Sequence, residues 1–179
     1  VVRIDGEEAD VWTGIQFPSA VPGLVSRVAD IPAENVRFHQ TYLGGGFGRR
    51  GSPSHIIEAT EIAKVSGKPI QLVWTREDDI QQGPFRPASL MRIKAGVDND
   101  GNLIAWDAAR AGADISPDTF RSLLPALYSW MGDGMIEGVA NLSEWYFEKF
   151  ATDESSTEGL FEDYDQPNTR VTHMTVDHE

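Results

Sequence analysis

The chain has 179 residues, 40% of them hydrophobic, and carries 15 lysines plus arginines against 28 aspartates plus glutamates, a formal charge of −13. That length fits one domain or one and a half, and the acidic balance excludes sequence-independent nucleic-acid binding and attraction to anionic lipid, which need a basic surface. With no cysteine, the chain has no disulfide, thiolate nucleophile, cysteine-ligated zinc or iron–sulfur cluster of its own.

The sequence opens VVRIDGEEADVW without a methionine and reads as the interior of a longer polypeptide. Ala9 to Gln16 is a predicted strand of mixed burial. Val21, Leu24, Val25 and Val28 then fall at i, i+3, i+4 and i+7, one stripe of a helix. Ser19 is its expected N-cap, Pro22 sits in its first turn and Pro32 closes it. Glu34 to Leu43 alternates, with Val36, Phe38, Gln40 and Tyr42 on one side, and predicts a strand running into YLGGGFGRR.

Ser52–Pro53–Ser54 starts a second predicted helix, with Ile56, Ile57, Thr60, Ala63 and Val65 on its apolar face and Gly67 as its left-handed terminator. Lys68 to Arg76 is a predicted strand. Glu77, Asp78, Asp79 and GPFRP form a predicted long turn. Ala88 to Val97 and Leu103 to Ala111 are two strands joined by Asp98–Asn99–Asp100–Gly101, a strong hairpin signal. Helix and strand alternate and a hairpin closes, which predicts an α+β fold, a two-layer mixed sheet with helices packed on one face. Beyond Gly112, Thr119 to Met131 suits a helix burying Phe120, Leu123, Leu124 and Leu127. Residues 132–165 are rich in glycine, serine and acid around an aromatic island, WYFEKF, and predict a loop or a loosely docked helix. Asn168 to Val176 predicts a closing strand.

The glycines of YLGGGFGRR need a reason, because glycine costs roughly 0.5–1 kcal/mol relative to alanine inside regular structure. Either the chain bends sharply there, or its bare main chain approaches a flat or anionic ligand. On composition alone, a glycine-rich surface loop and an oxygen- or anion-binding turn are both open. The stretch lacks the Gly-Lys-Ser/Thr of a P-loop and is not a Gly-x-Gly-x-x-Gly dinucleotide fingerprint. Glu77, Asp78 and Asp79 lack the spacing of a calcium loop. His39, His55, His173 and His178 show no ligand spacing, and no nucleophile elbow accompanies Ser52 and Ser54.

GIQFPS, YLGGGFGRR, EIAKVSGKPIQLVWTREDDI and RPASLMRIKAGVDNDGNLIAWD together resemble one family over residues 10–111. It is the molybdopterin-binding large subunit of the xanthine dehydrogenase and aldehyde oxidase group, nearest the isoquinoline 1-oxidoreductase beta subunit type. The resemblance implies a molybdenum cofactor-binding α+β domain over 1–111 and an acidic helical or irregular extension over 112–179. It implies molybdenum–molybdopterin, in its cytosine dinucleotide form, bound against Gly45, Gly46, Phe47 and Gly48. Gln16 matches the glutamine that hydrogen-bonds an oxygen ligand of the metal. Arg49, with Arg50, is expected either to offset cofactor phosphate or to form surface salt bridges.

The same resemblance implies hydroxylation of an N-heterocycle or aldehyde with oxygen from water. It implies further partners: the rest of the large subunit, which carries the glutamate base, and an iron–sulfur subunit that takes the electrons. No catalytic residue and no protein metal ligand is expected within this chain, which alone would be inactive. After GFGRR the sequence reads GSPSHIIEA, where the family places a bulky residue and then acids. A non-catalytic module that keeps the fold without the cofactor therefore stays open, and so does a nucleotide-binding module.

Overall fold

The computed structural model describes residues 1–151, 153–160 and 167–176, without the side chain of Asp118. The expected α+β class is observed, but the strands form two separate three-stranded mixed sheets. The chain divides into two compact units, Val1–Pro84 with Thr119–Leu142, and Phe85–Asp118 with Ser143–Glu179.

In the first unit, β1 (Val2–Asp5) pairs antiparallel with β2 (Glu8–Thr13), which pairs in parallel with β3 (Val36–Gln40). The opening hairpin, β1 with Gly6 at its turn, has no counterpart among the predicted strands. Alternation puts Val2, Ala9, Val11 and Val36 on one buried face, against the apolar stripes of α1 (Val21–Ala29) and α2 (Ser54–Ser66). On the opposite face, register places Arg3 and Arg37 on either side of Asp10. Arg37, His39 and Arg3 all donate to the Asp10 carboxylate and hold it well below the usual carboxylate range.

Ser19 does not cap α1. It lies in a 3-10 turn, Pro18–Ala20, that runs straight into the helix and bonds the first amides through the carbonyls of Phe17 and Pro18. The helix stops two residues before Pro32, at Asp30, whose φ of 63° is left-handed; the Ser26 hydroxyl donates to the Ile31 carbonyl just beyond. A Cβ on Gly23 would run into the Ala126 carbonyl oxygen of α4 (Ser116–Leu127). Gly67 ends α2 as expected, at φ 63° with its amide bonded to Ala63. Val65, expected on the apolar face, is 89% exposed, and Ala59 lies buried instead.

Two expectations on the next segment are corrected. Lys68 to Arg76 is not a ladder strand: its one bridge joins Ile70 to Val2. Its alternation is real, since Ile70, Leu72 and Trp74 are half-buried, but among the described residues its pairing stops at the Ile70–Val2 bridge. The acidic run is not a turn but α3 (Arg76–Gln82), opened by a capping box in which Thr75 and Asp78 bond reciprocally.

In the second unit, β4 (Ser89–Val97) and β5 (Leu103–Gly112) form the expected hairpin, and β6 (Thr169–Thr175) adds in parallel to β5. Asp98 accepts from the Asp100 and Asn102 amides and closes the turn. The predicted helix at 119–131 starts and ends earlier, at 116–127. Residues 133–150, expected to be a loop or a loosely docked helix, form the 18-residue α5 (Asp133–Phe150), with Ile136 and Ala140 turned inward at i and i+4. Residues 161–165 of that expected loop, and His178, lie outside the described residues.

Asp153, 1% exposed, stands in for an N-cap at α4 from a distant place in the sequence. It accepts from the Ile115 and Ser116 amides at 2.6 and 2.9 Å and from the hydroxyls of Ser116, Ser155 and Ser156. Burial alone would raise its pKa, yet these donors prevail and hold it low. His173 Nε2 donates to Asp114 at 2.7 Å, and Arg110 Nη1 approaches its other nitrogen at 3.4 Å. Among the described residues no helix is long and apolar enough to cross a membrane.

Candidate functional site

Parallel pairing decides where the glycine loop lies. Because β2 and β3 run the same way, the segments that follow them leave the sheet at one edge. The Thr41 amide bonds the Thr13 carbonyl, the Gln40 amide group reaches the Ile15 carbonyl, and the Gln16 amide bonds the Arg50 carbonyl at 3.0 Å. Residues 14–16 and 41–50 are thereby laced together at the carboxyl ends of two parallel strands, the usual place for a ligand in such sheets.

The structure answers why glycine is needed. A Cβ on Gly46 would stand 2.8 Å from Gln16 Oε1 and 2.9 Å from its Cδ, so the Gln16 amide group rests on the bare Cα. Gly45 and Gly48 have φ of 108° and 83°, which side chains rarely adopt. Phe47 itself is left-handed at φ 48° and its ring is 88% exposed. A non-glycine residue held in that region marks stored backbone strain, which collects at ligand sites. Gln16 and Gly45 to Gly48, separate in the sequence, thus meet in one patch of main chain with two side chains on it, the Gln16 amide against Gly46 and the Phe47 ring against Gly45.

Arg49 goes elsewhere. Its guanidinium lies 5.5 Å from the Trp74 ring centre and its Nε donates to Asp79 of α3 at 3.3 Å. Trp74 is held in turn by its indole nitrogen, which donates to Glu58 at 2.7 Å. Arg49 therefore makes the surface salt bridge that was one of its two expected roles. It also lines a cleft of about 490 Å3 with Arg50, His55, Trp74, Thr75 and Arg76, which neither Gln16 nor Gly45 to Gly48 lines.

His55, read in the sequence as structural or surface, is half-buried in that cleft. Burial pushes its imidazole down to about 4, Arg50 and Arg49 push the same way, and the Ser52 backbone opposes them weakly. Its Nε2 meets the Thr13 hydroxyl at 3.3 Å, while Nδ1 is buried without a hydrogen bond of good geometry. No motif announces it, because its partner lies 42 residues away. Asp78 is committed to the α3 cap, and no cluster of three or more histidines and acids suited to a metal occurs among the described residues.

The patch suits a pterin cofactor: Gln16 offers a neutral amide that both donates and accepts, the Phe47 ring beside it is exposed, and a Cβ on Gly46 would displace that amide. Comparison with known proteins gives the family. The profile of the molybdopterin cofactor-binding domain family matches residues 1–115. The chain is 35% identical over 98 residues to the isoquinoline 1-oxidoreductase subunit beta of Brevundimonas diminuta, covering 54% of this chain and 12% of that protein. It is 34% identical over 83 residues to a probable xanthine dehydrogenase subunit of Bacillus subtilis (46% and 11%), and 31% identical over 125 residues to human aldehyde oxidase (67% and 9%). The matched stretch is thus about an eighth or less of each relative. The chain belongs to the molybdopterin cofactor-binding domain family, within the xanthine dehydrogenase and aldehyde oxidase group.

Proposed function

We propose that this chain supplies one wall of the molybdopterin site in a molybdenum hydroxylase large subunit. The single observation that carries the reading is the Gln16 amide lying on the Cα of Gly46, in a loop of positive-φ glycines at the carboxyl edge of β2 and β3. Gly45 to Gly48 let the main chain approach the pterin beside the exposed Phe47 ring, and Gln16 offers an amide that binds without adding charge. Arg49 anchors the end of the loop through Trp74 and Asp79, so the loop's shape is fixed before the cofactor arrives.

The cofactor, in its cytosine dinucleotide form, supplies the redox chemistry that hydroxylates an electron-poor carbon of an N-heterocycle or aldehyde with water as oxygen source. The base for that reaction comes from the remainder of the subunit, and electrons leave to an iron–sulfur subunit. This chain binds and orients; it holds no reacting proton. Its role ends at the cofactor.

The test is metal analysis and pterin fluorescence on the longer subunit that contains this chain. About one molybdenum per chain is expected, falling at least tenfold in Gly46→Val, whose side chain displaces Gln16. Absence of molybdenum in the unsubstituted protein, under conditions that load a related enzyme, would leave the non-catalytic module as the correct reading.

A further inference from the structure

The cleft beside the glycine loop shares Arg49 alone with the proposed cofactor wall, and its lining is unusual in one respect. Two buried nitrogen atoms, Arg49 Nη1 and His55 Nδ1, face no hydrogen-bond partner of good geometry, the Ser52 backbone making only a weak contact with the His55 ring. Buried donors are nearly always satisfied, and an orphan costs roughly 1–3 kcal/mol. Here two orphans line the same cleft of about 490 Å3.

Charge points the same way. Arg49, Arg50 and Arg76 line the cleft against one carboxylate, Asp79, which already accepts from Arg49 Nε. Among the described residues Arg50 and Arg76 take part in no ion pair. When His55 Nε2 accepts from the Thr13 hydroxyl, Nδ1 carries the proton and is a donor. The donors come from three separate places: the end of the glycine loop, the first turn of α2 and the start of α3. The Arg49 fork is held by Trp74 on its face and Asp79 on its Nε, which leaves Nη1 as its free prong.

We infer that this cleft binds a phosphate group, with Arg49 Nη1 and His55 Nδ1 as its buried donors and Arg50 and Arg76 as its outer cations. A carboxylate offers two oxygens in one plane, whereas phosphate offers three or more in a tetrahedron and up to two charges. Donors from three elements and an excess of cations suit the second. The inference shares Arg49, the anchor of the glycine loop, with the cofactor reading, but Gln16 and the glycines take no part in it.

The experiment is an NMR titration of the full chain with inorganic phosphate, following the His55 ring and the Trp74 indole resonance, with sodium acetate and potassium chloride at matched ionic strength as comparisons. Saturable shifts of both residues with phosphate are expected, with acetate at least about tenfold weaker and chloride inert. Arg49→Gln is expected to weaken phosphate about tenfold, the loss of one charge-assisted bond. Arg50→Gln, at an exposed position, weakens it as well and serves where the first variant folds poorly. Gln16→Ala leaves phosphate binding unchanged, which separates this site from the cofactor wall. Shifts that follow chloride equally, an acetate response as strong as that to phosphate, or indifference to both arginine variants would each overturn the proposal.

Discussion

The two sheets share a strand pattern, an antiparallel pair extended by one parallel strand, yet different forces hold them. The first is backed by α1 and α2 over a contiguous apolar core that includes Val2, Val11, Val25, Leu24 and Ile56. The second buries Ala108 and Leu160, and its other buried groups among the described side chains are polar: Arg110, Asp153, Ser156 and Thr157. The first unit thus rests on non-directional burial that tolerates chemistry but not loss of volume. The second rests on hydrogen bonds that tolerate volume changes but not loss of a partner.

If that contrast is right, Leu24→Ala has the largest effect. It removes a buried side chain from the first core and lowers stability by about 2–5 kcal/mol, read by denaturant unfolding. A loss under about 1 kcal/mol would mean the core is loosely packed. Asp153→Ala follows, at about 1–3 kcal/mol, because the Ile115 and Ser116 amides lose their acceptor. Hydrogen exchange at those two amides should quicken while exchange at Val11 and Val25 does not.

Acid should separate the units further. His55 has its pKa lowered by burial, so the unfolded chain binds a proton that the folded chain refuses. The first unit therefore loses stability as pH falls from about 6.5, the ordinary histidine value, toward about 4, and His55→Gln removes that slope. Asp153 is shifted the same way from a lower starting point. Its contribution is present above about 3.9 and disappears as pH falls below that, where protonation breaks the α4 cap. Two acid transitions are expected by residue-resolved NMR, the higher in the first unit; a single coincident transition would mean the units unfold as one. The smallest effect is Leu90→Lys on β4, within about 0.5 kcal/mol, since Leu90 is 74% exposed.

The sequence was most informative where period and punctuation agree. The alternation at Val36 to Gln40, the Asp98–Gly101 turn and the Gly67 terminator each act through neighbours a few residues away, and all are found in the structure. It was least informative where a partner is distant. Ile70, Leu72 and Trp74 alternate like a strand, but alternation reports which way side chains face, not whether another strand lies alongside. Thr75-x-x-Asp78 carried a capping-box signature hidden by its acidic neighbours, and α5 was obscured by its glycines and serines.

The site divides the same way. The glycine loop was visible as a demand for small residues. The resemblance picked out Gln16 for a different role; that its amide is what makes Gly46 necessary had no signal in the sequence, because the contact joins residues far apart along the chain. His55 and Trp74 had no local signal at all, since Thr13 and Glu58 define their settings from elsewhere.

β4 is an outer strand, paired on one side by β5 and exposed along nearly all its length, with Leu90, Met91, Ile93 and Val97 open to solvent. Among the described residues no strand pairs with its other margin, which is a template onto which another extended chain can hydrogen-bond, and Arg92 and Lys94 are the charges within the strand that discourage this. Self-association of concentrated solutions through this margin is the expected consequence, to be read by light scattering, and a further lysine there is expected to reduce it.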